Sequence, residues 1–434
     1  MTSKNKTYND AYVWIWLPNA TTPAVAGRLE QDGPNLVFNY GQSYLENKDR
    51  IAIYDKELPL EKGTLTLLPG LNIPGPIRDG APDAWGRRVL INKKYGKKDS
   101  EIDPGSLSEL TYLLESGSDR IGALDFQSSP SKYQPRGMAS ITLEELVTAA
   151  ELVEKGIPLP QDLDLALYHG SAIGGARPKA LVEETNKKYI AKFSSNSDSY
   201  SVIKAEYIAM RLAKLCGLDV ANVKQVQAAH KDVLLIERFD RVASKDGWHR
   251  KSMISALSLL ALDENLARYA SYQDLSEIIR KDFTDSKKTL KELFSRLVFN
   301  ILVSNTDDHA RNHAAFWDGN RLTLTPAYDI CPQLRSGNIA NQAMAIKDEN
   351  RKSQLNSCLQ GADVFMLSKT DALEIIEKIL SGIIDNWTSV CDEAEVSPVD
   401  KNLFASRQIL NPYVFDDLDS DTRYLEKRMN DFRN

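Results

Sequence analysis

The strongest constraint on this chain is a change of character at Ser304. From about Ser252 to that point the sequence is densely apolar and mostly at helical spacing. It then turns abruptly polar at Asn305-Thr306-Asp307-Asp308-His309-Ala310-Arg311-Asn312, with Pro326-Ala327-Tyr328-Asp329 following beyond a short hairpin. Charged and amide groups cut into a buried-looking region are costly unless they are paired or bind a metal ion. The segment therefore either lines a functional cavity or forms a surface turn with Asn305 and Asp308 as turn formers. The spacing favours the cavity: Asp307, then Asn312 five positions on, then Asp329 brought back by the hairpin Ala314–Trp317 and Arg321–Thr325. In phosphoryl-transfer sites the first Asp of such a set orients a substrate hydroxyl, while the Asn and the later Asp hold Mg²⁺ against nucleotide phosphates. Asp308 lacks the offset to Asn312.

Phosphoryl transfer also needs a cover for the phosphates and a cation on the nucleotide. Gly170-Ser171-Ala172-Ile173-Gly174-Gly175-Ala176-Arg177-Pro178-Lys179 is a Gly-rich turn ahead of a hairpin with strands Ala180–Glu183 and Lys188–Ser194. Gly174 and Gly175 carry no Cβ, so their backbone N–H groups can approach phosphate closely. A purely structural turn is the alternative, and no Gly-Lys-Ser/Thr follows to make a Walker A loop. Strand alternation puts Tyr189, Ala191 and Phe193 on one face and Ile190, Lys192 and Ser194 on the other. Lys192, then Glu206 on the next helix, stand in the order of a kinase-type Lys–Glu pair, though each alone also reads as a solvated residue.

With 434 residues the chain has room for two or three domains. Residues 1–127 read as mixed β with short helices, with strands expected at Ala11–Leu17, Asn35–Tyr40 and Gly63–Leu68. The polar stretch 128–137 reads as a linker, 138–248 as a nucleotide-binding part and 249–434 as a helical lobe. Within these, Thr142 and Glu145 form a capping box, Val233–Glu237 is an apolar strand, and Ser368–Asp371 caps a late helix.

Several classes are disfavoured. A net charge of −6 argues against phosphate-dominated nucleic-acid binding by the whole surface, and Lys93-Lys94 with Lys97-Lys98 read as a solvated turn. No apolar run approaches the roughly 20 residues that span a membrane, and no signal-peptide core leads the chain. Cys216, Cys331, Cys358 and Cys391 are far apart, as expected of reduced, mostly buried thiols in a cytoplasmic protein. His309 and His313 are spaced for zinc but lack a Glu base and a third ligand, and no Gly-x-Ser-x-Gly elbow supports a hydrolase.

Taken in order, six segments resemble motifs of the HipA serine/threonine kinases, toxins of type II toxin–antitoxin modules. They are Gly75–Arg87 with its Pro82-Asp83-Ala84-Trp85-Gly86-Arg87 end, Gly174–Lys179, Ala205-Glu206-Tyr207, Glu237-Arg238-Phe239-Asp240-Arg241, Asn305–Asn312 and Leu324–Ile330. The resemblance covers most of the chain and implies an α+β, bilobal kinase-like fold with a β-rich N-terminal part and an all-helical C-terminal lobe. It implies ATP and Mg²⁺ as cofactors, Asp307 as the catalytic residue, Asn312 and Asp329 as metal ligands, and Lys192 on the phosphates, paired with Glu206. Gly174, Gly175, Ala176, Arg177, Pro178, Lys179, Glu237, Arg238, Phe239, His309, Ala310, Arg311 and Tyr328 would complete the ATP site. Ser171 is the nearest candidate for autophosphorylation, one residue farther from the Gly-x-x-x-Lys part than in the family. The resemblance also implies a small dimeric helix-turn-helix antitoxin (HipB-like), operator DNA reached through it, and growth arrest by phosphorylating a protein such as glutamyl-tRNA synthetase. A catalytically silent nucleotide-binding co-repressor and a small-molecule kinase are the other readings.

Overall fold

The computed structural model describes residues 7–95, 105, 107–137, 141–160, 163, 171–195, 198–335, 337 and 339–433. The chain divides into two compact units, one of Met1–Ser197, Val226–Ile254 and Phe316–Asn320, the other of Asp198–Gln225, Ser255–Ala315 and Arg321–Asn434. Helices and sheets are mixed throughout, as the α+β expectation requires.

The first unit opens with a four-stranded antiparallel sheet, order β3-β2-β1-β4, of β1 (Asp10–Ile15), β2 (Ala24–Asp32), β3 (Asn35–Tyr40) and β4 (Leu124–Gln127). Val13, Ile15, Leu29, Phe38 and Phe126 alternate onto one face and form its core with Leu110 and Leu113. The longest of these strands, β2, has no counterpart in the sequence reading, because Gly27 and the charged Arg28 and Glu30 interrupt its apolar pattern. Gly27 is required there: an added Cβ would lie 2.0 Å from the Asn39 carbonyl oxygen. Conversely, the strand expected at Gly63–Leu68 does not form. Its backbone meets β3 at the Thr64–Asn39 bridge and through a Leu65 N–H bond to Phe38 O of 2.9 Å.

The polar stretch after β4 lies against β1. Ser129 O accepts from the Trp14 indole at 3.1 Å, and the Tyr133 ring packs 5.4 Å from Trp14 and 5.5 Å from Trp16. Lys94 sits in the last turn of the helix Ala84–Tyr95 and pairs with Glu115 at 3.1 Å; Lys97 and Lys98 lie outside the described residues.

A second sheet has the order β5-β6-β8-β7, with β5 (Lys179–Glu184), β6 (Lys187–Phe193), β7 (Val223–Ala228) and β8 (Lys231–Glu237). Tyr189, Ala191 and Phe193 pack with Val233 and Leu235 against Trp85 and against Leu146, Val147 and Val153 of the helix Leu143–Glu154. That helix starts at the Thr142–Glu145 capping box read from the sequence. Lys192 is directly opposite Lys179 in register, so both project from the face away from this core, and both are buried.

After β8 the chain forms β9 (Arg241–Ser244) and β10 (Gly247–Arg250). Between β8 and β9 lies a buried charge cluster. Arg238 reaches Asp240 at 2.8 Å and Asp119 at 3.0 Å, and Arg241 reaches the same two carboxylates at 2.8 and 2.9 Å. Asp240 also accepts the Gly122 N–H at 2.8 Å. Burial alone would raise the Asp240 carboxyl, but Arg238 and Arg241 outweigh it and hold it at about 2.

Next in the chain, β11 (Ser252–Ser255) ends where the second unit resumes, and that unit contains helices Tyr272–Asp282 and Ser286–Leu302, the latter buried from Leu290 through Leu302 on most of its surface. The hairpin β12 (Ala314–Trp317) and β13 (Leu322–Leu324) follows. The late helix Lys369–Glu393 starts at a Ser368–Asp371 capping box and packs against the helix Val202–Leu215. Their contact is close: a Cβ at Gly382 would meet the Cys216 sulfur at 2.7 Å. All four cysteines are free and buried. Among the described residues no helix is long and apolar enough to cross a membrane.

The charge cluster generates a stability prediction. Asp240→Ala leaves two buried guanidinium groups short of a partner and should cost roughly 3–5 kcal/mol. Because the Asp240 carboxyl is depressed from an unfolded value of about 3.9, its stabilisation is complete above that pH and is lost as pH falls toward about 2. Urea unfolding across a pH series should show this acid loss in the native sequence and a flatter acid limb in the variant.

Candidate functional site

In the second unit, the polar segment after the buried helix is shaped by backbone bonds. Ser304 takes a left-handed conformation (φ 55°), and Asn305 N–H reaches back to Asn300 O at 2.8 Å. Asn305 Nδ2 donates to Asn300 Oδ1 at 3.1 Å, and Gln342 Nε2 donates to Asn305 O at 3.1 Å. Asp308, passed over by the spacing argument, is buried and forms the anchor. Its carboxylate pairs with His313 Nε2 at 2.9 Å and accepts a short bond from the Tyr272 hydroxyl. Burial would raise the Asp308 carboxyl, yet His313 and these hydrogen bonds hold it below the ordinary value. His313 is therefore engaged with Asp308, not with a metal partner at His309.

With Asp308 turned inward, Asp307 points the other way and is exposed by area. Its carboxyl is nonetheless raised, first because surrounding atoms partly dehydrate it, then by the charges of Asp329 and Asp308, with His309 opposing. Ala310–Asn312 form one short turn, closed by an Asn312 N–H bond to His309 O at 2.8 Å. Asn312 Nδ2 donates to Asp307 O at 3.1 Å, and Oδ1 is the acceptor of the same amide. His309 Nδ1 is buried without a hydrogen-bond partner. Arg311 pairs with Glu264 at 2.6 Å, and its carbonyl oxygen accepts from the Tyr328 hydroxyl at 2.8 Å.

Asp329 is brought to this loop by a segment held like a strand. Thr325 N–H bonds Ala314 O at 3.0 Å, Ala327 N–H bonds Asp219 O at 2.8 Å, and Ala221 N–H bonds Ala327 O at 2.9 Å. Arg296 donates to Thr325 O at 2.9 Å and Asp219 O at 3.1 Å, fixing both ends of that pairing. Asp329 itself is left-handed (φ 59°), a conformation Asp tolerates better than most residues and one that concentrates at functional sites.

Asn312 Oδ1 and the Asp329 carboxylate are oxygen donors that could hold a metal, and among the described residues no three His, Cys, Asp or Glu side chains cluster to do so. That set does not suit zinc, which takes four ligands. It suits Mg²⁺, which is usually bound by one or two carboxylates plus substrate phosphates.

The remaining sequence candidates, apart from Glu206, lie in the first unit. Gly174 and Gly175 form the turn, with Gly175 at φ 97°; Ala176 and Arg177 continue it, and Pro178 O accepts from Phe193 N–H at 3.0 Å. Lys179 Nζ donates to Gly174 O at 2.6 Å. Ser171 is fully buried and its hydroxyl accepts from Gly117 N–H at 3.0 Å, while Gly170 lies outside the described residues. Glu237 pairs with Lys187 at 2.7 Å, and the Phe239 ring meets Phe316 edge-on at 5.9 Å. The Arg238 side chain is committed to Asp119 and Asp240. Lys192 belongs to the first unit and Glu206, also buried, to the second.

Two family models match: the HipA N-terminal domain over residues 16–127 and the HipA-like C-terminal domain over residues 171–387. The serine/threonine-protein kinase toxin HipA of Shewanella oneidensis is 24% identical over 283 residues, 55% of this chain and 64% of that protein. Y4mE of Sinorhizobium fredii is 24% identical over 209 residues, 46% of this chain and 47% of that protein. The matched stretches thus span about half to two thirds of these relatives. A solved chain from the Shewanella oneidensis complex of HipA, HipB and operator DNA superposes with a TM-score of 0.64 at 18% identity, covering 98% of this chain and 96% of that one. At that identity the likeness establishes the fold.

Tyr272→Phe removes the buried hydroxyl that supports Asp308 with little change of shape. Loss of a hydrogen bond to a charged group should cost about 1.5–3 kcal/mol. Chemical denaturation reads that cost, and faster amide exchange across residues 305–312 should accompany it.

Proposed function

Since the chain belongs to the HipA family, we propose that it is an ATP- and Mg²⁺-dependent serine/threonine protein kinase, the toxin of a toxin–antitoxin pair. The observation that carries the reading is the convergence of Asp307, Asn312 and Asp329 on one loop: Asn312 bonds Asp307 O, and the Asp329 charge acts on the Asp307 carboxyl. In this reading Asp307 accepts the hydrogen of a substrate hydroxyl and aims its oxygen at the phosphorus. A carboxyl whose affinity for protons is raised is suited to that task. Asn312 Oδ1 and Asp329 would hold Mg²⁺, which when bound neutralises charge on the nucleotide phosphates. Lys192, which is buried, would supply a cation for the phosphates, and His309 would lie beside the nucleotide. The backbones of Glu237 and Phe239 would hold adenine, with Tyr328 and Arg311 around it. Glu206 would steady Lys192, and Ser171 would be the autophosphorylated residue once its turn opens.

The proposed partners are a small HipB-like helix-turn-helix antitoxin dimer and, through it, operator DNA. The Shewanella relative is solved in a complex of HipA, HipB and operator DNA, and a net charge of −6 is compatible with a basic partner. The proposed substrate is a component of translation such as glutamyl-tRNA synthetase.

Asp307→Ala should lower phosphate transfer by roughly 10²–10⁴-fold while ATP binding, measured by calorimetry, stays close to native. Full activity in this variant would sink the assignment. Incubation of the native protein with labelled ATP and a cell lysate separates the readings. A labelled protein band supports a protein kinase, a labelled metabolite a small-molecule kinase, and no transfer a silent co-repressor. Asn312→Ala and Asp329→Ala should each shift the Mg²⁺ dependence of the rate to higher concentration, by roughly tenfold or more.

A further inference from the structure

The Pro82-Asp83-Ala84-Trp85-Gly86-Arg87 segment has no role in the chemistry above, yet its side chains and backbone grip the Gly-rich turn at several points. Asp83 Oδ2 accepts the Gly175 N–H at 2.7 Å, while Lys179 Nζ donates to Gly174 O at 2.6 Å. These are the two polar groups of a single peptide unit, the one joining Gly174 to Gly175. A carboxylate and an ammonium thus hold that peptide from both sides and set its orientation. The next bonds extend the grip: Trp85 N–H reaches Gly175 O at 3.1 Å, and the Trp85 indole donates to Lys179 O at 2.9 Å.

Three glycines lie against this contact. A Cβ on Gly174 would lie 2.6 Å from Asp83 Oδ2, one on Gly175 would lie 2.1 Å from Lys179 Nζ, and one on Gly86 would lie 2.6 Å from Ser171 O. The requirement is firmest at Gly86, where the obstructing atom is backbone, and at Gly175, whose φ of 97° favours glycine.

We infer that Asp83, backed by Trp85, is a positioning residue for nucleotide phosphates: it fixes the Gly174–Gly175 peptide and with it the shape of the turn. This rests on the kinase reading for its consequence, though the grip itself does not. In this proposal Asp83 acts through the turn and not directly on ATP or the reacting atoms. An acceptor is what the Gly175 N–H requires, so Asp83→Asn keeps the function in part and Asp83→Ala loses it.

The test uses the full chain and two independent readouts. In nucleotide-free protein, hydrogen–deuterium exchange of the peptide covering residues 171–179 should quicken roughly tenfold or more in Asp83→Ala, the effect of losing one charge-assisted hydrogen bond, and by less, several-fold, in Asp83→Asn, which keeps an acceptor without the charge. By calorimetry, ATP affinity should fall roughly tenfold in Asp83→Ala with adenosine affinity unchanged, and KM for ATP should rise more than kcat falls. Unchanged exchange in Asp83→Ala overturns the inference, and so does equal loss of ATP and adenosine affinity, which would mark a general structural role. If Asp83→Ala does not fold, Asp83→Asn decides: its several-fold quickening of the same peptide is the expected result, and no change overturns the proposal. Failure of the native protein to bind ATP would refute the kinase reading while leaving the exchange measurement to judge the grip.

Discussion

Two arginines and two aspartates packed between β8, β9 and the segment 119–122 organise the first unit. Removing four charges from water costs several kcal/mol per ion, so the cluster persists only because each member is matched. Arg238 and Arg241 each bond both Asp119 and Asp240, and both also donate to Arg120 O. Arg120 in turn is buried against Asp125 of β4 at 2.9 Å. A chain of ion pairs, joined by hydrogen bonds to the Arg120 carbonyl, therefore runs from the N-terminal sheet to the end of β8. It holds the backbone of Glu237 and Phe239 in place, which a purely apolar contact would do with less directional control. A motif that reads as a nucleotide contact is, at its arginine side chains, the fastening of the unit.

The second unit solves a related problem in another way. Its polar loop follows a helix whose last turns are wholly buried, so the loop must carry acids past a core. Two adjacent aspartates divide the work. Asp308 is drawn inward and matched by His313 and Tyr272, and that commitment leaves Asp307 facing outward beside Asp329. Asp329 is placed by backbone pairing to residues 219–221 and by the bonds of Arg296, so its left-handed backbone is held from outside the residue itself.

Much of the local structure was legible in the chain. Capping boxes at Thr142–Glu145 and Ser368–Asp371, the hairpin that follows the Gly-rich turn, and the alternation of Tyr189, Ala191 and Phe193 depend on neighbours a few residues away, and all are present. Elements that depend on distant partners were not. The strand β2 looks broken in sequence because Gly27 answers to Asn39, and Gly63–Leu68 looks like a strand because its apolar residues serve a core without pairing along their length. The candidate site divides similarly. The offset from Asp307 to Asn312 was visible, whereas the anchoring role of Asp308 required Tyr272, thirty-six positions earlier. Asp83 gave no signal beyond belonging to a motif, since its partner Gly175 is ninety-two positions away.

By itself the sequence determined residue types, local periodicity and the order of the polar motifs, because these are properties of neighbouring residues. From those it established an α+β chain with one acidic loop suited to holding a cation near phosphate, and a resemblance to one family. Only the tertiary structure decided which of two adjacent aspartates faces solvent, which arginines are spent on ion pairs, and why the Gly-rich turn needs its glycines. Each of those outcomes is set by a charge or a carbonyl brought close from far along the chain, where burial makes an unmatched partner too costly to leave.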